Sequence, residues 1–315
     1  MNLKKEKIKE IVNDVKLKTG SVVSEAKEKS VGIATEVFSK TSDITNKSKE
    51  KIITTIDVNN DGVVDIEDII ILALKTPGIK IDRNEFLKKE LKNKFSKEVV
   101  ELAIATTPLQ AGILVDDIDH IAEEIIKYER NCVTGISTAL GTPGGAAMVA
   151  TMPADIVQYY GYMLRTAQKL MYLYGFPEIN IEEQETHFDT ETINLLIICL
   201  GVMYGVAGAN AAIKSLAKGL ATGVSKKIMS TALTKGILYP IVKKIVKYFG
   251  VSLTKKMLAG AVQKSLPIIG GVLGGGITYV SFKPCCDKLK QSLQNTMLSN
   301  QNYEEDKNVI IDLEI

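Results

Sequence analysis

The 315-residue chain balances 39 Lys and Arg against 37 Asp and Glu, for a net charge of +2 at pH 7. No strong overall field therefore recruits nucleic acid. Arg83, Arg130 and Arg165 are its only arginines, and bidentate phosphate recognition prefers arginine. The length leaves room for one large domain or two smaller ones, with ample material for a core.

The cysteines are Cys132, Cys199, Cys285 and Cys286, and none has metal-ligand spacing. They read as reduced structural thiols of a cytoplasmic protein. The adjacent pair Cys285-Cys286 could alternatively carry lipid in a eukaryotic cell. The opening MNLKKEKIKE has no apolar core of the kind a cleaved signal peptide needs.

Residues 1–50 are rich in Lys, Glu, Ser and Thr. Ile8, Ile11, Val12 and Val15 recur at helical spacing and define one apolar face. Such a segment suits an anionic membrane surface or docking on the body of the protein, and a partly disordered tail is the alternative. Residues 39–50, SKTSDITNKSKE, read as a polar linker.

Residues 51–95 form an expected calcium-binding module. A helix over 51–56 leads into DVNNDGVVDIED, Asp57 to Asp68. A twelve-residue calcium loop places oxygen ligands at positions 1, 3, 5, 9 and 12 and a carbonyl at position 7. Here these are Asp57, Asn59, Asp61, Asp65, Asp68 and the Val63 carbonyl. Gly62 occupies position 6, where a sharp turn would strain a Cβ, and Val64 is the apolar anchor of position 8. Position 12 is Asp rather than Glu, as in dockerin-like loops. The shorter side chain weakens bidentate binding, so Mg2+ is the expected competitor of Ca2+. An Asx-rich turn that caps a helix without metal is the alternative.

An aliphatic helix over 66–74 leaves the loop and ends before Thr76-Pro77-Gly78, and Asp82 with Glu85 marks a capping box for the next helix. Ile79 to Phe86, IKIDRNEF, lacks the front-half ligands of a second loop and reads as an apolar partner strand.

From residue 96 to 300 the chain is apolar and rich in Gly and Ala, with helices expected at 98–106, 116–130, 153–174, 190–220, 224–248, 252–263 and 267–293. Residues 301–315 form an acidic, flexible tail. The expected fold class is all-α, a multi-helix globular domain packed through glycines. The helix from 153 begins at Pro153 and carries Asp155, Gln158, Arg165 and Gln168 among tyrosines. Arg165 is read as a clamp on Asp155 or on another helix's carboxylate. A polar site lined by Asp155, Arg165 and Gln168 is the sharper alternative. Two segments, 193–213 and 266–282, read equally as membrane-contacting and as buried core. Lysines at 214, 218, 226, 227, 243, 244 and 247 suit anionic headgroups or an ordinary solvated face.

TPGGAAMVATMPADIVQYYGYMLRTAQKLMYLYGFPEI, followed about ninety residues on by LPIIGGVLGGGIT, resembles the bacterial EcsC family. The resemblance covers about residues 96–295 and rests on Pro153, Ala154, Asp155, Arg165, Gln168, Tyr174, Gly175, Pro267 and the glycines from 270 to 276. It implies a helical fold associated with membranes and no defined activity. The calcium loop lies outside it.

Catalytic motifs are absent. His120 in DDIDHIAEE falls one turn from Asp116 and from Glu123 and Glu124, which suits a solvated acidic face better than a metal-binding bundle. A metalloenzyme or hydrolase centred on His120, or on Asp155 and Arg165, is the minority reading. The expectation is a non-enzymatic, calcium-binding helical protein acting at a membrane or on a membrane-associated partner. A soluble calcium-stiffened scaffold is the alternative.

Overall fold

The computed structural model describes residues 58, 65–141, 145–179, 189–250, 269–300 and 303. Among them all regular structure is helical, in line with the lack of strand alternation. In chain order the helices are α1 (Ile66–Lys75), α2 (Arg83–Leu91), α3 (Lys97–Ala105), α4 (Val115–Gly141), α5 (Gly145–Leu173), α6 (Thr190–Tyr204), α7 (Ala209–Ala221), α8 (Lys226–Thr234), α9 (239–250) and α10 (Ile269–Gln294). The N-terminal segment 1–50, the helix expected at 51–56, the helix expected at 252–263 and most of the acidic tail lie outside the described residues.

Local chemistry sets the ends of α1. Asp65 caps it by accepting from the amides of Glu67 and Asp68, and the Asp68 carboxylate reaches back to the Asp65 amide. Two otherwise orphaned donors are thus satisfied reciprocally. At the other end Pro77 disfavours helical backbone at Thr76, which is extended at ψ 128°, and Gly78 turns the chain at φ +82°. Asp82 and Ser96 cap α2 and α3 through the amides of Glu85 and Val99.

The segment expected to pair as a strand, Ile79 to Phe86, does not. Gln168 takes its backbone groups, donating to the Ile79 carbonyl at 3.0 Å and accepting from the Ile81 amide at 3.1 Å. Its remainder enters α2.

The core is built around α5, whose Tyr160, Met163, Leu164, Ala167 and Leu170 to Leu173 are all at most 3% exposed. It packs against α1, α4, α6 and α10. α5 starts at Gly145, eight residues before Pro153, because Ala146, Ala147 and Ala150 favour helix. A proline inside that run removes one backbone bond without ending it.

The expected helix 190–220 is two helices. Gly205 and Gly208 take left-handed backbone at φ +70° and +96°. The Val206 amide closes back onto the Gly201 carbonyl at 2.8 Å, a Schellman-type end. The 193–213 segment is therefore split within the core. Ile193, Leu196 to Leu200 and Met203 are buried, Asn194 donates to the Leu233 carbonyl, and Asn210 accepts from Ser292. No helix among the described residues is long and apolar enough to cross a membrane. The 224–248 helix is likewise broken after Thr234, between α8 and α9.

Glycines do mediate close packing where the sequence placed small residues. A Cβ at Gly201 would stand 2.5 Å from the Ile245 Cδ1 and 3.0 Å from the Ala209 Cβ, and one at Gly275 would overlap Thr138. These contacts hold α6 against α7 and α9, and α10 against α4.

Candidate functional site

Of the expected calcium ligands, Asp57, Asn59, Asp61 and Val63 lie outside the described residues, and Asp65 and Asp68 lie within them. The Asp68 carboxylate is 1% exposed. Its Oδ1 accepts from the Val58 amide at 3.1 Å and its Oδ2 from the Asp65 amide at 3.1 Å. Position 12 of the loop thus faces position 2, across ten residues of chain. Asp65 spends Oδ1 on the helix cap, which suits a ninth-position residue that commonly reaches the ion through water. The all-oxygen donor set fits a hard divalent cation.

The other end of α1 is fastened to α5. Arg165 donates from Nη1 to the Gly78 carbonyl, and Gln168 holds Ile79 and Ile81. At 100° per residue Asp155, Arg165 and Lys169 share the α5 face toward α4, while Gln168 sits on the adjoining face. The three residues expected as a polar site are accordingly engaged in three places. Asp155 accepts from Ser137 at 2.8 Å, and Arg165 donates from Nε to Glu129 Oε1 at 3.0 Å. Arg165 thus clamps another helix's carboxylate.

Glu129 was not singled out from sequence, and it anchors the most charged buried cluster described. It is 0% exposed, and its Oε1 also accepts from Lys169 Nζ at 2.5 Å. Its Oε2 is buried with no donor among the described residues. Two cations thus share one carboxylate. A lysine within the apolar run AQKLMYL was the signal available, because a lysine is rarely buried unless paired.

Arg83 is the second such anchor. At 7% exposure it donates to the carbonyls of Ala103, Ile104, Thr106 and Phe176. The first three terminate α3, where orphan carbonyls and the helix dipole favour a cation. Burial lowers the Arg83 pKa from its ordinary value, and Glu178 and Tyr172 oppose that shift.

His120 is solvated, its side chain 71% exposed with Nε2 3.5 Å from Glu124. The neighbouring Glu123 carboxylate bonds Lys290 at 2.8 Å, which lowers its pKa. No group of three or more His, Cys, Asp or Glu side chains gathers around a metal position among the described residues. His187 lies outside them.

Where α5, α6, α9 and α10 meet, Tyr159, Tyr160, Tyr204, Phe249 and Phe282 pack edge to face. Burial pushes Tyr159, and Tyr172 beside α2, up to about 12. Both values lie above the ordinary ~10 of an unfolded tyrosine. The stability this confers is fully present below pH ~10 and is lost as pH rises through the folded value. The unfolding free energy from urea titrations should therefore fall steeply between about pH 10 and 12, by up to ~1.4 kcal/mol per pH unit for each such tyrosine. The part of the tyrosinate absorbance that Tyr159→Phe and Tyr172→Phe remove should appear together with unfolding; ionisation of that part in the still-folded chain would contradict this.

No protein-family model, curated protein or solved structure matches the chain.

Proposed function

We propose that this chain is a calcium-binding, non-enzymatic helical protein that acts at the inner face of a membrane or on a membrane-associated partner. The carrying observation is the DVNNDGVVDIED loop, Asp57 to Asp68, whose twelfth-position carboxylate is buried at the loop exit facing Val58. Asp57, Asn59, Asp61, Asp65, Asp68 and the Val63 carbonyl would hold the ion. Calcium supplies a fixed dication there, and Mg2+ competes because aspartate is a short bidentate ligand.

Support for the membrane half comes from the resemblance of residues 96–295 to the EcsC family. The amphipathic face of Ile8, Ile11, Val12 and Val15 adds to it. So do the exposed Ile277, Tyr279 and Val280 of α10, where the Arg130 guanidinium stacks on Tyr279 at 4.0 Å. Apolar and aromatic side chains beside a cation suit the interface of an anionic bilayer. The burial of α6 and α7 favours a second reading, a soluble scaffold that calcium stiffens.

Calcium calorimetry on the wild type and on Asp57→Ala/Asp61→Ala, with and without anionic liposomes, tests both halves. The expected result is binding that the double variant abolishes and that liposomes strengthen. Lipid-independent binding leaves the scaffold, and a wild type that takes up no calcium removes the proposal.

A further inference from the structure

The loop and the core share one short, rigid element. Helix α1 is ten residues long, about 15 Å. Its first turn holds Asp68, which reaches the loop through Val58 and Asp65. Its inner face is Ile66, Ile69, Ile70, Ala73 and Leu74, all at most 1% exposed. Those side chains lie against α5 and α6. Immediately beyond its last turn, Gly78, Ile79 and Ile81 are bonded to Arg165 and Gln168 of α5, and Arg165 to Glu129 of α4. A helix with a fully buried face cannot leave the core locally without exposing it, so its opening belongs to the core's cooperative unit.

We infer that a cation held at the loop is coupled through α1 to the whole α4–α5–α6 core, so that calcium occupancy sets the global stability of the protein and not that of a peripheral module. The inference rests on the calcium reading above. Its physical content is linkage: a ligand that binds only the folded state stabilises everything that unfolds with its site. Asp68 is the joint, because the carboxylate that faces the loop also closes the capping box of α1 by accepting from the Asp65 amide. In a calcium loop set on a detachable module, the ion would leave the amides of α5 and α6 unaffected.

The experiment uses the full-length protein in EGTA and in free calcium at a hundredfold over the dissociation constant found by calorimetry. Hydrogen exchange and thermal unfolding are followed in each. The expected result is an exchange rate about a hundredfold slower for the most protected amides of α5 and α6. A single melting transition should also rise by about 4 °C. Asp61→Ala, measured in the same two buffers, should show neither change. Calcium uptake by calorimetry with protection confined to residues near 57–68 would overturn the coupling and leave calcium binding standing. The absence of uptake would overturn both.

Discussion

Glu129→Ala destabilises the protein by about 3–5 kcal/mol, the usual cost of removing one partner from a buried ion cluster. In the wild type the carboxylate is fully buried and receives both Arg165 and Lys169. Without it the Lys169 ammonium, whose side chain is 8% exposed, stays buried and loses its Glu129 counter-charge. Arg165, at 24% side-chain exposure, suffers less because it reaches solvent and keeps the Gly78 carbonyl. The double variant Glu129→Leu/Lys169→Met should recover much of the loss, because buried ion pairs are often replaceable by apolar groups of similar volume. Urea unfolding of the two variants decides the matter. If Glu129→Ala cost less than about 1 kcal/mol, the cluster would not be the buried charge set described here.

Arg83→Met costs about 3 kcal/mol or more, for a different reason. The guanidinium satisfies four backbone carbonyls, three of them at the end of α3 and one after α5. Methionine keeps much of the volume but leaves those acceptors without a donor, and an unpaired buried polar group costs about 1–3 kcal/mol. Arg83→Lys should restore only part of the stability, since a point ammonium cannot span the positions that a planar fork reaches. Equal midpoints for Arg83→Lys and the wild type would argue against the fork geometry. Helix α3 is expected to fray first in the methionine variant, visible as faster exchange of its C-terminal amides.

Much of the fold was legible because it is written in local chemistry. Asp82 announces a helix start, and Thr76-Pro77-Gly78 announces an end, since caps and prolines act within one turn. From residue 96 on, the lack of alternating apolar residues spoke against strands for the same local reason, whereas Ile79 to Phe86 was misread as a strand because its backbone partner, Gln168, is 87 residues away. The donor set of the calcium loop is equally a matter of fixed offsets, from Asp57 to Asp68. Other features were readable only in part. Gly205 and Gly208 sit in a run hydrophobic enough to pass for one long helix, and glycine is compatible both with close helix packing and with left-handed backbone. The pair acts as a break because α7 must turn back to pack beside α6, with Asn210 accepting from Ser292 of α10.

By itself the sequence determined the all-helical class, the capping of α2, and the oxygen-ligand pattern that motivates the calcium proposal. Each depends on residues a few positions apart. Only the tertiary structure decided which charges are paired in the core. Glu129 and Lys169 stand forty residues apart, and Arg83 reaches carbonyls twenty to ninety-three residues away. Such partners are chosen by how helices pack, and pattern along the chain carries no record of that choice.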